Sequence, residues 1–419
     1  MLAEILTIGD ELTRGEIVDT NSAWLAGRLW ELDVTVRWMT SCRDDEADLR
    51  AALAAACARV DLVLTSGGLG PTEDDLTCDV VAAAAGVPVA IDEGARARLE
   101  QFLSSRGRPV SEVNLRQARV PAGARVHANP VGLAPGFEVA LGGVPVVCLP
   151  GVPRELHAIW EAGLAARVDE LRRAHGAAPR IARRVYRLFG CGESQVSEAL
   201  RGLVDGVAGA SIHYQVKFPE VLVKLVVRDP DAAAAAERLA ALDAGLAARV
   251  GAWTYGTGDE PLPLVVGRAL LAGGHRVAVA ESCTAGLVGA LLTELPGSSG
   301  YFVGGAIAYA DDEKVRQLDV SPATLGAHGA VSEEVVREMA RGARARTGAG
   351  IGIAVSGIAG PGGGTPAKPV GTVWLAVDGP GAGHRTFRMR WPGPRDQVRT
   401  LAAWWALELV RQAIGGDRA

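Results

Sequence analysis

The chain has 419 residues, too many for one ordinary hydrophobic core, so we expect two or three domains. The formal net charge of −5 and the lack of a basic stripe argue against direct binding of nucleic acid. No Cys-x-x-Cys pair occurs, and no apolar run reaches the roughly 18 residues of a membrane span. We therefore expect buried thiols, a cytoplasmic location and no contact with a membrane.

Strand-like and helix-like segments alternate in the first part of the chain. Strands are predicted at 4–8, 34–39 and 61–66, and helices at 19–32 and 44–59. This alternation predicts a parallel sheet covered by helices on both faces. Such sheets bind ligands beyond the carboxyl ends of their strands, where the loops at 9–12, 66–75 and 150–153 fall.

The most distinctive of these loops is rich in glycine. Gly67, Gly68 and Gly70 allow the backbone to approach a ligand and to present N–H groups to an anion. The carboxylates of Asp74 and Asp75 follow and could hold a hard divalent cation that bridges phosphates. A tight turn followed by acidic helix-capping residues accounts for the same letters equally well.

The runs GDELTRGEIVDTN, SGGLGPTEDDLT, NLRQARVPAGA, ANPVGLAPGF and LPGVPRELHAIW resemble the molybdopterin-binding fold, as found in the N-terminal half of the CinA family. The resemblance covers most of residues 1–160 and implies a metal-dependent ADP-ribose pyrophosphatase. The implied cation is Mg²⁺ or a similar divalent ion, with K⁺ as a second candidate. The implied phosphate contacts are Gly67, Gly68, Gly70 and Thr72, and the implied metal or substrate contacts are Asp10, Asp74 and Asp75. Further polar candidates are Asn21, Asn114, Arg116 and Gln117.

The middle of the chain is predicted to be a linker followed by a small α+β domain. Residues 171–183 lose apolar periodicity, and the arginine-rich run 180–187 is interpreted as a solvated linker and edge strand. The strand and helix segments that follow resemble the KH-like middle domain of the CinA family; they are 185–189, 195–203, 212–216, 221–227 and 231–250. A KH domain needs a basic Gly-x-x-Gly loop to bind nucleic acid. The segment Gly190–Glu193 has another spacing and carries an acid, so a structural spacer is favoured.

Hydroxyls and one amine lie at the ends of predicted elements between residues 276 and 320. A strand at 277–280, a loop at 281–286, a helix at 287–295, a loop at 296–300 and a strand at 305–309 are predicted. A serine hydroxyl becomes a good nucleophile when a base such as lysine takes its proton. On this motif alone, a loop serine and a surface lysine are the better explanation.

The runs AESCTAG, LPGSSGYFVGGAIAYADDEK, GAVSEEVVREMARGA and VSGIAGPGGGTPAKPVGTVW resemble the C-terminal domain of the CinA family, which deamidates nicotinamide mononucleotide. The resemblance implies Ser299 as nucleophile, Tyr309 and Lys314 as its activators, and no cofactor. Ala285 departs from the family pattern, where a second glycine is usual, and Ala310–Asp311 replaces the common Ser-Asn. Cys283 is a rival nucleophile, but no histidine in its motif would ionise it, so a buried, inert thiol is preferred.

A second glycine-rich loop follows the strand predicted at 350–355. Its backbone N–H groups could wrap the phosphate of a mononucleotide, although a flexible hairpin connection is the alternative. Lys368 and Arg395 could neutralise that phosphate, and the resemblance places Arg395 in the site. The remaining predicted substrate contacts are Ser282, Thr284, Ser356, Gly357 and Gly360. An apolar stripe on the last helix, formed by Val398, Leu401, Ala402, Trp405 and Leu409, is predicted to be core or subunit contact.

Together these features predict a multidomain α/β enzyme of pyridine-nucleotide recycling. The predicted domains are a molybdopterin-binding-like domain at 1–170, a linker and KH-like domain at 171–257, and an amidase domain at 258–419. Nicotinamide mononucleotide and ADP-ribose are the expected ligands, and a homodimer is the expected assembly. A competence or DNA-damage accessory protein and a molybdopterin-binding protein are the alternatives.

Overall fold

The computed structural model describes residues 1–176, 180–379 and 383–415. The chain divides into two compact units, one of residues 1–181 with 229–232, the other of residues 182–228 with the chain from 233 onward. Both units mix helices with sheets, which confirms the predicted α/β fold class. Within the described ranges, no helix is long and apolar enough to cross a membrane.

The first unit contains eight strands and eight α-helices in its described part. The strands are β1 (Leu2–Ile8), β2 (Thr35–Cys42), β3 (Leu62–Ser66), β4 (Val89–Ile91), β5 (Arg119–Pro121), β6 (Arg125–His127), β7 (Gly136–Leu141) and β8 (Val144–Leu149). The helices are α1 (Asp10–Thr13), α2 (Thr20–Glu31), α3 (Glu46–Cys57), α4 (Thr77–Ala85), α5 (Glu93–Ser104), α6 (Glu112–Leu115), α7 (Pro153–Ile159) and α8 (Ala165–Ala174).

The main sheet of the first unit has the strand order β2-β1-β3-β8-β7-β6. The first four strands are parallel, as predicted, whereas β7 and β6 are antiparallel to their neighbours. The two-residue turn Gly142–Gly143 joins β7 to β8, with φ values of 57° and 88°. A turn this short can connect only antiparallel strands, so the sheet is parallel at the three predicted strands and antiparallel at its β7–β6 end.

The second unit contains nine strands and eight α-helices in its described part. The strands are β9 (Arg180–Leu188), β10 (Ala210–Lys217), β11 (Glu220–Asp229), β12 (Thr254–Thr257), β13 (Val277–Glu281), β14 (Phe302–Ile307), β15 (Ile351–Gly357), β16 (Thr372–Gly379) and β17 (Gly383–Arg390). The helices are α9 (Glu193–Ala199), α10 (Ala232–Val250), α11 (Leu262–Ala272), α12 (Leu287–Leu292), α13 (Asp311–Leu318), α14 (Pro322–His328), α15 (Glu333–Thr347) and α16 (Arg395–Ile414).

Two sheets organise this unit. The smaller has the order β10-β11-β9-β12, and the larger has the order β14-β13-β15-β16-β17. Strand β13 is parallel to both β14 and β15, while β16 and β17 complete the sheet in antiparallel fashion. The carboxyl ends of β13, β14 and β15 therefore meet at one edge, and β14 is an outer strand.

The predicted linker and edge strand at 171–187 are wrong in the described residues. Helix α8 continues to Ala174, β9 begins at Arg180, and residues 177–179 lie outside the described part. Strand β9 is an interior strand, and the buried Arg187 donates to both carboxylate oxygens of Glu220, at 3.0 and 2.6 Å. The arginine is tolerated inside because its charge is paired.

The segment after β9 packs on the last helix. The Phe189 ring lies 4.9 Å from the ring of Trp405 and 5.5 Å from that of Trp404. A Cβ added to Gly190, where φ is 78°, would lie 2.9 Å from the Trp405 ring. This contact supports the spacer interpretation of Gly190–Glu193. The predicted apolar stripe of α16 is core, with Val398 and Leu409 among its buried members.

Candidate functional site

The predicted amidase residues gather where three neighbouring strands end. Glu281 pairs with Ile307 on one side and with Val355 on the other. The residues that follow, Ser282, Tyr309 and Ser356 among them, therefore lie along the same edge of the sheet. This is the position at which open α/β sheets bind ligands.

Lys314 is the buried centre of this edge. Its side chain lies in the first turn of α13 and is 1% exposed. The amino group donates to the backbone oxygens of Tyr309 (3.1 Å) and Ala310 (3.4 Å) and to Asp311 Oδ1 (3.1 Å). An amine surrounded by acceptors in this way is held in one position.

Tyr309 connects the lysine to an arginine. The Tyr309 hydroxyl accepts a hydrogen bond from Arg395 Nη2 at 2.9 Å, and Arg395 Nη1 donates to the Gly360 oxygen at 2.9 Å. Arg395 opens α16, while Gly360 belongs to the second glycine-rich loop and has φ of 86°. The structure thus brings together four predicted site residues, Tyr309, Lys314, Gly360 and Arg395.

The loop after β13 is held from two sides. The buried carboxylate of Glu281 accepts hydrogen bonds from the N–H groups of Gly286 (2.9 Å), Val288 (3.1 Å) and Gly289 (2.9 Å). Arg399 donates to the backbone oxygens of Cys283 and Thr284. The sequence reasoning assigned no role to Glu281 or Arg399. Glu281 ends β13, six residues before α12 begins, so no local capping signal identified it.

Thr284 carries an unsatisfied hydroxyl group in this loop. Its side chain is fully buried, yet Oγ1 has no hydrogen-bond partner among the described residues. Buried hydroxyls are normally satisfied, so this one is an exception that the contacts of the described residues do not explain. The next residue, Ala285, has φ of 49°, in the left-handed region that favours the glycine usual in the resembling family.

The second glycine-rich loop carries two further predicted contacts. Ser356 Oγ donates to the Ala330 oxygen at 2.7 Å, and Lys368 Nζ donates to the His328 oxygen at 2.6 Å. The segment 328–330 therefore connects Ser356 with Lys368. A Cβ on Gly357 would lie 2.5 Å from Val373 Cγ2, so packing against β16 accounts for this glycine.

Ser299 lies away from these residues within one chain. It is exposed, in the single 3₁₀ turn Ser298–Gly300 that precedes β14, whereas Tyr309 and Lys314 follow the other end of that strand. Six strand residues at about 3.3 Å each separate the two ends by about 20 Å. The structure therefore does not bring the predicted nucleophile to its predicted activators inside one subunit.

Cys283 occupies the core rather than the edge. Its side chain is 4% exposed and belongs to the main apolar cluster of the domain. Burial raises the pKa of the thiol to about 12, so almost none of it is thiolate at neutral pH. This supports the inert-thiol interpretation.

The first unit has its own cavity, of about 910 Å³, at the carboxyl ends of β1, β3 and β8. The predicted Gly67, Gly68, Gly70, Asp74 and Asp75 line it, together with Gln117. Gly67 has φ of 117°, and a Cβ there would lie 2.2 Å from the Ile8 oxygen. Only glycine therefore fits this close crossing of two strand ends.

Asp75, one of the predicted metal ligands, accepts hydrogen bonds from within the glycine-rich loop. Asp75 accepts from the N–H of Gly70 (2.7 Å) and from the N–H and hydroxyl of Thr72 (2.8 and 2.5 Å). Asn21 donates to the Gly151 oxygen at 2.7 Å and to Ser66 at 2.9 Å, while its buried Oδ1 has no partner in the described part of the chain. Thr72 and Asp75 thus shape the loop, and Asn21 offers an unused acceptor.

Carboxylates that the sequence reasoning did not assign also line this cavity. Glu11 and Asp44 face it, and burial, followed by the charges of Glu11, Asp10 and Asp74, raises the pKa of the Asp44 carboxyl. Oxygen donors that repel one another in this way suit a hard divalent cation. Asp10 is paired with Arg14. In the described ranges no cluster of three or more His, Cys, Asp or Glu is arranged for a metal ion, so the predicted ligands stay a prediction.

Comparison with known proteins covers almost the whole chain. Family profiles match residues 4–170 as "Probable molybdopterin binding domain", 183–256 as "Damage-inducible protein CinA KH domain" and 259–414 as "CinA C-terminal domain". A "CinA-like protein" of Anaeromyxobacter dehalogenans is 45% identical over 420 residues, covering 99% of this chain and 100% of that protein. A "Putative competence-damage inducible protein" of Symbiobacterium thermophilum is 44% identical over 425 residues, with 99% of each chain covered.

Among solved structures, the competence/damage inducible protein CihA from Agrobacterium tumefaciens is 36% identical and covers 38% of this chain and 98% of its own, with a TM-score of 0.36. Full-length relatives at such identity, together with the three matched domains in order, show that this chain belongs to the CinA family.

Proposed function

We propose that the C-terminal domain hydrolyses the carboxamide of nicotinamide mononucleotide to nicotinic acid mononucleotide and ammonia. The observation that carries this proposal is the hydrogen-bonded cluster of Lys314, Tyr309 and Arg395 at the carboxyl edge of the sheet. The cluster combines an amine that can exchange protons with a guanidinium that can bind a phosphate. The second glycine-rich loop would supply backbone N–H groups of the kind that a nucleotide phosphate needs.

The chemistry balances without a cofactor. A serine Oγ attacks the amide carbon while its proton passes to the Lys314 amine, directly or through the Tyr309 hydroxyl. Collapse of the tetrahedral intermediate breaks the C–N bond, and ammonia leaves with the proton from Lys314. Water then attacks the acyl ester, the C–O bond to the serine breaks, and the hydroxyl regains its proton. N–H donors of the loops would stabilise the oxyanion.

The resemblance to the family assigns the nucleophile to Ser299. Within one chain this serine lies at the far end of β14, so it must reach Lys314 from a second copy, or a hydroxyl of the edge such as Ser282 must replace it. Both arrangements keep Lys314 as the base.

Ammonia release from nicotinamide mononucleotide by the purified chain tests the activity. We expect turnover without added metal, and we expect Cys283→Ala to retain at least about half of it, since a buried thiol of this pKa does not react. A chain that releases no ammonia rejects the proposal. A loss of more than about 100-fold in Cys283→Ala, with an unchanged fold, would transfer the nucleophile to the thiol.

We propose a second activity, the hydrolysis of ADP-ribose, for the cavity of the first unit. Its glycine-rich loop suits a pyrophosphate, and the carboxylates of Asp74, Asp44 and Glu11 line the same cavity without forming a preset metal cluster. A divalent cation would therefore be held by one or two of these carboxylates together with the phosphates, whose charge it would neutralise. The side chain of Phe102, 40% exposed at the cavity, offers a face on which an adenine can stack.

Phe102→Ala should raise the KM for ADP-ribose about 10-fold or more, because stacking of a base on an aromatic ring contributes about 1–3 kcal/mol. The kcat should change little, because the ring is proposed to hold the adenine and not the pyrophosphate. Initial rates with Mg²⁺ at varied ADP-ribose measure both constants. Val113→Ala, an exposed apolar residue outside the cavity lining, is the matched control. An unchanged KM for ADP-ribose in Phe102→Ala would show that the adenine does not stack on this ring.

The two alternatives require other ligands. A DNA accessory role needs contact with a polyanion, which the net charge of −5 and the acid in the segment Gly190–Glu193 do not favour. A molybdopterin carrier would use the same cavity of the first unit. Competition between molybdopterin and ADP-ribose for the cavity, and a salt-dependent gel shift with DNA, separate these roles from the proposed one.

A further inference from the structure

Strand β14 is an open edge of the larger sheet. It pairs with β13 on one side and has no strand on its other side among the described residues. Natural edge strands are usually protected by charged residues or proline, but β14 reads Phe-Val-Gly-Gly-Ala-Ile and has neither. A bulge near Gly304 is its one irregularity. Ile307 is 55% exposed and Gly305 is also exposed, so the strand offers backbone groups and apolar surface to a partner.

The two halves of the proposed catalytic pair lie at opposite ends of this edge. Ser299 precedes the strand, and Tyr309 and Lys314 follow it. A second copy of β14 running antiparallel beside the first would reverse the order of the ends. The serine of each copy would then lie next to the lysine of the other.

We propose that the amidase site is shared between two copies of this chain, whose β14 strands lie antiparallel about a two-fold axis, with each copy supplying Ser299 to the other's Lys314. This inference rests on the proposed deamidation. Such an isologous contact is self-complementary, as the commonest dimers are. It assigns the expected homodimer a specific surface and explains why one chain alone does not contain a complete site.

The position of the two-fold axis along β14 fixes which residues of the two copies face each other. If the axis passes Gly305, that glycine faces its own copy, and the partner subunit's Ser299 faces Asp311. Asp311 Oδ1 accepts a hydrogen bond from Lys314 Nζ at 3.1 Å. A serine hydroxyl of the partner subunit that faces Asp311 would therefore lie close to the Lys314 amino group. Moving the axis by one residue in either direction keeps the facing position within residues 309–313.

Complementation between two inactive variants tests the sharing directly. Full-length Ser299→Ala and Lys314→Met chains are co-expressed with different tags, and the mixed dimers are purified. Each variant alone should be inactive. The mixed dimer keeps one intact site, formed by the lysine of one chain and the serine of the other, so it should show about half of the wild-type ammonia release. If both partners of a pair came from one chain, both sites would be broken, and an inactive mixed dimer overturns the proposal.

A cross-link tests the geometry independently of the activity. The double variant Ser299→Cys/Asp311→Cys should form disulfide-linked dimers under mild oxidation, seen on a non-reducing gel. Each single variant is the matched control, because it retains the same six native cysteines, all of them buried or half-buried. Absence of the linked dimer in the double variant overturns the shared site even if the wild type deamidates. A linked dimer in the double variant, combined with a wild type that releases no ammonia, keeps the dimer and rejects the proposed function.

Discussion

Replacing Lys314 by methionine is expected to lower the kcat for nicotinamide mononucleotide about 1,000-fold, with little change in KM. Removal of a general base typically costs 10²- to 10⁴-fold, or roughly 3–5 kcal/mol of barrier. Methionine retains most of the length and apolar stem that pack in the 1% exposed pocket. The variant removes the amino group but leaves the surrounding hydroxyls and Arg395 in place. Initial-rate measurements of ammonia release, with thermal unfolding as a check of folding, measure the effect.

Lys368→Met is the matched control for loss of a positive charge. Its amino group donates to the His328 oxygen, and it is assigned to the phosphate rather than to proton transfer. Loss of a binding contact that is equal in ground state and transition state raises KM and leaves kcat unchanged. Lys314→Met should therefore lower kcat, whereas Lys368→Met should raise KM. A Lys314→Met enzyme that keeps more than about a tenth of the wild-type kcat excludes this residue as the base.

Elements with local signals were predicted well. The helices predicted at 19–32 and 44–59 correspond to α2 and α3, which Asp19 and Asp45 cap by accepting hydrogen bonds from backbone N–H groups. The capping side chain and the apolar periodicity of each helix lie within a few residues, so sequence alone contains them. The glycine-rich loop at 67–70 was recognised for the same reason, because its backbone conformation depends on glycine locally.

Features that depend on the pairing of strands distant in sequence were not predicted. The strand predicted at 305–309 lies at Phe302–Ile307, because its start follows the partner Val277 in β13, which no local pattern shows. Tyr309 consequently leaves the strand and reaches Arg395. The role of Asp44 was likewise missed, since only the neighbouring positions of β1 and β2 bring it near Glu11.

The separation of Ser299 from Lys314 has the same origin. Ser299 and Lys314 are only fifteen residues apart in the sequence, but the whole length of β14 lies between the two side chains. Family resemblance can identify residues that act together without showing which subunit supplies each. Because β14 is an edge strand, a second subunit can pair with it and supply one of the two residues.

Glu281→Ala is expected to destabilise the C-terminal domain by at least about 3 kcal/mol. The carboxylate is 1% exposed and is the acceptor for the N–H groups of Gly286, Val288 and Gly289. Truncation leaves these N–H groups at the start of α12 without that acceptor, and each unsatisfied buried group costs about 1–3 kcal/mol. Ala285 adds strain to the same loop, with φ of 49°. The effect should therefore exceed that of a typical point mutation.

Amide hydrogen exchange at residues 286–289 measures this effect locally, which suits a chain of two compact units whose global unfolding need not be two-state. We expect the exchange there to accelerate about 100-fold or more in Glu281→Ala, since a loss of 3 kcal/mol corresponds to that factor. Glu281→Gln should be intermediate because its carbonyl oxygen still accepts, whereas its amide group cannot accept from the remaining N–H. Glu294→Ala, an exposed carboxylate just after α12, should change exchange by less than about threefold. Equal protection in wild type and Glu281→Ala would show that the carboxylate does not hold this loop, and the positions of Ser282 and Thr284 would need another cause.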